Sequence, residues 1–353
     1  MPPRYPCVPG HELAGVCVAV GAAVTRFRVG DHVGVGCMVD SCLTCAACLR
    51  GEEQMCLKNT NTYCAKPSAR AGVPPGAPSH TLGGYTSVFV VHERFGIKIP
   101  AGYPLQAAGP VMCAGVTLFD PLRRYGAGPS KRVAIVGVGG LGAIGIKIAK
   151  AMGAHVTAIT RSLEKAAFAK AACGADATLL SSDAGAMRAH GGAFDLVLDT
   201  VPAEHDYWPY VPLLEPARGA LVHLGLNTAL VAGIAVDKLT CGASRIKGSG
   251  IGGIEATQAV IDLCAAKNIV PELEVIKPEG IAAAYEALVE ENQSGKRYVI
   301  DLASLKDGSA EAACKDVSPP RFKVPKQPSL GLVSVVGAIL RLWCCCGWRR
   351  RAC

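Results

Sequence analysis

Apolar positions in this chain repeat with two different periods, in two consecutive regions. Up to about residue 113 the apolar runs are short, tend to alternate with polar residues and are broken by glycine, as at 16–20, 27–35, 83–91 and 95–100. Period-two alternation predicts half-buried strands, and short strands punctuated by glycine predict a small β-barrel-like domain. Between 66 and 80 proline, alanine and glycine dominate without any period, which predicts a surface loop. Further on, strands and helices take turns. Residues 107–118 are apolar and helix-patterned, 133–136 read as a buried strand, 141–152 as a helix ended by Gly153, and 155–159 as a second strand. Strands at 195–200 and 219–225 follow, separated by an aromatic, proline-containing segment at 207–214. A strand with a Gly-rich end at 245–253, helices at 255–267 and 281–290, and a last strand at 298–302 complete the pattern. The expected class is α/β: a doubly wound parallel sheet plus a β-rich domain.

The turn between the strand at 133–136 and the helix at 141–152 carries candidate chemistry. Gly137-Val138-Gly139-Gly140-Leu141-Gly142 fits G-x-G-x-x-G in its required strand–turn–helix setting. Gly137 permits the tight turn, Gly139 lets backbone approach a pyrophosphate, and Gly142 lets helix and strand pack closely, with the helix N-terminus facing the phosphates. This is a Rossmann-type dinucleotide site. An acidic residue at the end of the second strand would select NAD through the ribose hydroxyl. Here Thr160, Arg161, Ser162 and Lys165 stand instead, with no acid at the strand end. Two hydroxyls, a guanidinium and an ammonium suit a 2′-phosphate, so NADP(H) is expected.

Cysteine usage adds a second site. Of the 17 cysteines, Cys42, Cys45, Cys48 and Cys56 form C-x2-C-x2-C-x7-C. Four thiolates on one short lobe satisfy tetrahedral Zn²⁺ with no open position, the mark of a structural site. Cys37 and Cys64 flank the cluster off its spacing and read as ordinary thiols, and Cys113 taken alone reads as a buried small residue. The first residues contain no apolar leader core, so a cytoplasmic location and metal rather than disulfides are expected. The net charge of +8 is misleading as a partner signal. Residues 304–353 hold nine Lys/Arg against three Asp/Glu, leaving the body near +2, so no nucleic-acid surface is expected.

Gly10-His11-Glu12, the four-cysteine lobe, Cys113-Ala-Gly-Val-Thr117, the glycine turn and Gly248-Ser-Gly-Ile-Gly252 stand in the order found in zinc-dependent medium-chain alcohol dehydrogenases. The chain resembles that family, and within it the cinnamyl alcohol dehydrogenase branch, over about residues 5–303. The resemblance implies a GroES-like catalytic domain at 1–113 with its structural lobe at 37–57, an NADP-binding Rossmann domain at 114–269, and a return to the catalytic domain at 270–303. It implies that His11, Glu12 and Cys113 belong to a catalytic zinc site. It also implies that Thr117, the glycine turn, Thr160, Arg161, Ser162, Lys165, Ser249, Gly250, Ile251 and Arg297 contact NADP(H). The implied activity is hydride transfer between NADP(H) and an alcohol/aldehyde pair, cinnamyl-type among the candidates, with zinc polarising the carbonyl. A homodimer is implied as well.

The family's segment with a first zinc cysteine and a relay hydroxyl, upstream of Gly-His-Glu, has no counterpart here. By this reading the catalytic domain is N-terminally truncated by roughly sixty residues. That leaves two alternatives, an active dehydrogenase or a catalytically impaired NADP- and zinc-binding protein. Cys7 is a candidate stand-in ligand. The tail at 304–353 lies outside the resemblance. Its linker-like 318–328 and apolar 329–343 predict a disordered extension, with membrane contact as the alternative.

Overall fold

The computed structural model describes residues 5–67, 79–226, 245–290, 296–304 and 332–342. Its β-rich part contains β1 (Leu13–Val20), β2 (His32–Val35), β3 (Met38–Asp40), β4 (Thr60–Asn61), β5 (Val88–His92) and β6 (Ile97–Lys98). A short helix, α1 (Ala46–Leu49), and a 3-10 turn, Glu53–Met55, lie between β3 and β4. β1 and β2 pair antiparallel with Leu13 opposite Val35 and Val16 opposite His32. Leu13, Val33, Val35 and Ile97 on these strands are at most 1 % exposed, as is Phe95 in the 3-10 turn before β6, and the neighbouring Ala14 is buried too, so burial here is fuller than strict alternation gives.

A helical connection follows: α2 (Leu105–Pro110), a π-helical turn at Val111–Gly115, and α3 (Val116–Arg124). The sequence pattern reads this as one helix from 107. The extra residue of the π turn changes the phase of the helix at Cys113, a distortion common where a side chain must be aimed at a site.

The parallel sheet contains β7 (Arg132–Val136), β8 (His155–Thr160), β9 (Ala177–Leu180), β10 (Leu196–Asp199), β11 (Ala220–His223) and β12 (Ile246–Gly248), in the order β12-β11-β10-β7-β8-β9. Its helices are α4 (Gly140–Ala151), α5 (Leu163–Ala171), α6 (Ala184–Ala189) and α7 (Ile254–Ala266). The order reverses at β7, so the crevice between β7 and β10 is a topological switch point, where ligands of such sheets bind. Both faces of the sheet are covered. Val133, Ile135, Leu196 and Leu198 join one apolar cluster, while Ala134, Val136 and Val197 join the other. Two-sided burial explains why these strands are continuously apolar rather than alternating.

The chain then returns to the first sheet with β13 (Leu273–Ile276), α8 (Ile281–Glu290) and β14 (Arg297–Asp301). The tail departs from its expected disorder or membrane contact over one stretch. Leu332–Leu342 forms β15, lying between β14 and β1, and it also pairs with β5. Its register runs Leu13 to Leu340 and Val20 to Val333 along β1, and Leu332 to His92 along β5. The physical reason is edge satisfaction. β1, β5 and β14 each offer unpaired backbone, and an apolar, β-branched segment without proline is suited to cover it. The linker-like 318–328 and the end of the chain at 344–351 lie outside the described residues, as does most of the loop expected at 66–80. Among the described residues no helix is long and apolar enough to cross a membrane.

Candidate active site and metal centres

Four sulfurs meet in the lobe between β3 and β4. Cys42 and Cys48 lie 3.9 Å apart, Cys45 and Cys48 3.6 Å, and Cys42 and Cys56 3.5 Å. Sulfurs about 2.3 Å from a tetrahedral zinc stand about 3.8 Å from one another, so the spacing fits a closed Zn²⁺ site. Backbone N–H groups supply the outer support. Cys45 N donates to Cys42 Sγ at 3.3 Å and Lys58 N to Cys56 Sγ at 3.4 Å. Backbone N–H groups of Thr44 and Cys45 pull the Cys42 thiol down to about 5, favouring the thiolate that binds metal.

The lobe is fastened to the dinucleotide domain. Glu53 is fully buried, accepts from Ile254 N at 3.0 Å at the start of α7, and meets the Arg94 guanidinium at 3.3 Å. A carboxylate against a helix N-terminus satisfies an orphan N–H and opposes the positive end of the dipole.

A second donor set lies at the end of β1. Ring nitrogen of His11, Sγ of Cys37 and Sγ of Cys113 all lie within 4.8 Å of one another. The residues come from three places: just before β1, the turn between β2 and β3, and the π turn after α2. Cys113 is 3 % exposed, and Glu12, next to the cluster, is 1 % exposed. The His11 ring stacks on Tyr63 with centroids 5.9 Å apart. Burial by itself would lower the His11 imidazole. The Cys113 sulfur and the Glu12 carboxylate outweigh it and push the group up to about 9. Burial holds the Glu12 carboxyl well above the usual range, and the hydrogen bond with Cys113 raises the Cys37 thiol. One imidazole, two thiols and a carboxyl thus share protons in a small volume, and a cation entering must displace them. The donor chemistry, one nitrogen and two sulfurs, fits Zn²⁺.

Cys37, which by spacing alone reads as an ordinary thiol, stands in this donor set. Cys7, a candidate stand-in ligand by sequence, is directed elsewhere: its Sγ lies 3.2 Å from Cys64 Sγ.

The glycine turn has the shape a pyrophosphate requires. A Cβ on Gly142 would stand 1.9 Å from Gly137 O, so helix and strand approach as only glycine permits. A Cβ on Gly139 would meet nothing within 4 Å, which leaves open space in front of the helix start. No side chain caps α4, so its first N–H groups face that space. At the end of β8, Thr160 is buried and Arg161 exposed. Ser162 caps α5 by accepting from Lys165 N at 3.3 Å, so its hydroxyl is partly committed. Thr117 Oγ1 donates back to Cys113 O at 2.8 Å. Ser249 N donates to His223 O at 3.1 Å, Gly250 is exposed, and Ile251 holds a positive φ of 45° past β12.

Arg297, expected at the pyrophosphate, is 2 % exposed and joins the two halves of the site. Its Nε donates to Gly140 O at 3.1 Å, and its Nη1 lies 3.7 Å from Glu12 Oε1. The residue beside the second donor set and the start of α4 are therefore within one guanidinium's span.

Comparison with known proteins decides the family. Residues 1–101 match the alcohol dehydrogenase GroES-like domain, and residues 140–266 match the zinc-binding dehydrogenase domain. NADP-dependent alcohol dehydrogenase C 1 of Mycolicibacterium smegmatis is 44 % identical over 306 residues, covering 86 % of this chain and 84 % of that one. The chain belongs to the zinc-dependent medium-chain alcohol dehydrogenases. Among solved members of this family, the cinnamyl alcohol dehydrogenase SbCAD4 from Sorghum bicolor aligns with a TM-score of 0.78 at 37 % identity, covering 85 % of this chain and 83 % of that one. A protein named CAD from Helicobacter pylori, solved in complex with NADP(H), aligns with a TM-score of 0.74 at 33 % identity, covering 86 % of this chain and 84 % of that one. This dehydrogenase thus sits beside the cinnamyl alcohol dehydrogenase branch, with a GroES-like domain joined to a Rossmann domain.

Proposed function

We infer that the protein is a zinc- and NADP(H)-dependent oxidoreductase acting on an alcohol/aldehyde pair. The observation that carries this reading is the Arg297 bridge, with Glu12 at 3.7 Å on one side and Gly140 O at 3.1 Å on the other. It sets a buried nitrogen-and-sulfur donor cluster immediately beside a dinucleotide turn, the arrangement needed for a metal to act next to a nicotinamide. When bound, zinc supplies Lewis acidity toward a carbonyl oxygen and NADP(H) supplies the hydride chemistry.

The chain's own residues position and tune. His11 and Cys113 hold the metal, and Tyr63 fixes the imidazole plane. Glu12 supplies a buried carboxylate next to the cluster and is anchored by Arg297. Thr160, Arg161 and Lys165 receive the 2′-phosphate, with Arg161 as the exposed cation able to turn onto it. Gly137, Gly139 and Gly142 seat the pyrophosphate on the start of α4. Bulky aromatic aldehydes are the proposed substrate class, in line with what the sorghum relative is named for. A homodimer belongs to the same reading.

The test is spectrophotometric. Purified full-length protein with zinc should consume NADPH in the presence of cinnamaldehyde and generate the alcohol, and NADH should serve poorly. Protein that binds NADPH and zinc yet turns over no aldehyde would favour the impaired binding protein instead.

A further inference from the structure

We propose that Cys37 is a direct ligand of the catalytic metal, so that His11, Cys37 and Cys113 together form a three-donor site with one open position. The inference rests on the zinc-dehydrogenase reading above and extends it to a residue that the resemblance does not assign.

The fold brings Cys37 there by two independent constraints. The first is strand register. β1 and β2 pair with Leu13 opposite Val35, Ala14 opposite Gly34 and Gly15 opposite Val33. Continuing that antiparallel register by two residues sets position 11 opposite position 37. The hairpin therefore delivers His11 and Cys37 as a facing pair. The second is close packing against the helix that carries Cys113. A Cβ on Gly36 would lie 2.8 Å from Met112 O, so the backbone just before Cys37 is pressed onto the backbone just before Cys113. Only a residue without a side chain allows that approach.

A third element holds the arrangement from the other side. Thr62 N donates to Cys37 O at 3.1 Å, and the Thr62 hydroxyl donates to Gly36 O. The next residue, Tyr63, stacks on the His11 ring. One short segment thus braces the backbone of one donor and the ring of another. This is the outer support that metal ligands need for orientation.

Donor number makes the chemical distinction. Among the described residues, the lobe at Cys42, Cys45, Cys48 and Cys56 offers four sulfurs and is closed, whereas the set at His11, Cys37 and Cys113 offers three atoms. Three protein ligands on a tetrahedral metal leave the fourth position for water or substrate, which is the catalytic rather than the structural pattern. On binding, each of the two thiols gives up its proton to solvent, and the cation takes two Sγ–metal bonds and one bond to the imidazole nitrogen.

Cobalt(II) is the probe. Full-length protein whose four-sulfur lobe holds zinc is loaded with one further equivalent of Co²⁺, and the thiolate-to-cobalt absorption of that second ion is recorded. Two thiolates should contribute, so Cys37→Ser and Cys37→Ala should each cut the band to roughly half, as should Cys113→Ser. Affinity for the second ion should fall at least ~100-fold, beyond what loss of an outer-shell partner costs. Lobe zinc and NADPH binding in the same samples report that the variants fold. Should a variant not fold, the unmodified protein still answers: the second ion should protect Cys37 from alkylation, mapped by mass spectrometry. A second ion that binds with an unchanged band in both Cys37 variants, or that leaves Cys37 as reactive as before, overturns the inference while the His11–Cys113 site stands. Failure of the wild-type chain to take a second ion at all overturns this inference and the dehydrogenase reading together.

Discussion

Replacing Glu53 tests how the metal lobe is tied to the dinucleotide domain. Its carboxylate is fully buried, accepts from Ile254 N at 3.0 Å and meets Arg94 at 3.3 Å. A hydrogen bond to a charged acceptor contributes about 1.5–3 kcal/mol. The charge also opposes the start of α7, which adds about 0.3–1 kcal/mol and up to about 2 kcal/mol in partly buried sites. The Arg94 side chain is 49 % exposed, so its ion pair is screened and adds little. Backbone contact here is tight as well, since a Cβ on Gly253 would stand 1.7 Å from Gly51 O, so the lobe and the start of α7 meet directly beside this carboxylate. Glu53→Ala, which orphans the Ile254 N–H, should therefore cost about 3 kcal/mol. Glu53→Gln keeps an acceptor of the same shape and should cost about 1 kcal/mol. The assay is urea unfolding at fixed zinc, with the release of lobe zinc to a chromogenic chelator as a second readout. Alanine should lower the urea midpoint more than glutamine and should speed zinc release. Equal, small shifts for both variants, below about 0.5 kcal/mol, would refute the idea that this carboxylate fastens the lobe to α7.

Gly142→Ala places a methyl 1.9 Å from Gly137 O, where real Cβ atoms keep at least 3.0 Å, so the helix start must move by about an ångström; steady-state turnover with NADPH should fall on the order of 100-fold, and calorimetry should show weaker NADPH binding. Arg161→Asp should weaken NADPH binding and spare or improve NADH, and equal loss for both would count against a 2′-phosphate contact at the end of β8. Deleting 329–353 strips the partner strand from β1, β5 and β14. Light scattering should then show aggregation at exposed edges, while a soluble monodisperse product would argue against β15 as a built-in strand.

The dinucleotide turn, the four-sulfur lobe and the order of strands and helices were legible in the residues, because each is a local matter. A strand–turn–helix needs its glycines at fixed offsets, and a metal lobe needs its cysteines a few residues apart. Cys113 and His11 could be named only through likeness to a family, since 102 positions separate them and no spacing rule joins such distant donors. Cys37 was passed over for a related reason. It stands five residues before Cys42 and looks like a stray member of the lobe. Its partner is set by the β1–β2 register and by the contact of Gly36 with Met112 O, and both are properties of paired and packed backbone. A signal existed in principle: antiparallel pairing of 13–16 with 32–35, Val16 opposite His32, puts 11 and 37 opposite each other, once the register is known. Register depends on which faces are buried, and that is fixed only when the sheet closes on its core.

Arg297 shows the same division. Its sequence neighbourhood, a lysine before and an apolar strand after, reads as an ordinary strand start. Tertiary packing buries the guanidinium between Glu12 and Gly140 and so ties the residue beside the His11–Cys37–Cys113 cluster to the glycine turn. The tail is the reverse case. Its apolar, β-branched composition was plain, but a segment of that kind is equally at home against lipid, in an aggregate or in a sheet. Three strands with unsatisfied edges, brought together from 13–20, 88–92 and 297–301, decided for the sheet. By itself the sequence determined the parts whose chemistry lies within a few residues. Only the tertiary structure decided which distant side chains share a site, because pairing and close packing are long-range and no local pattern encodes them.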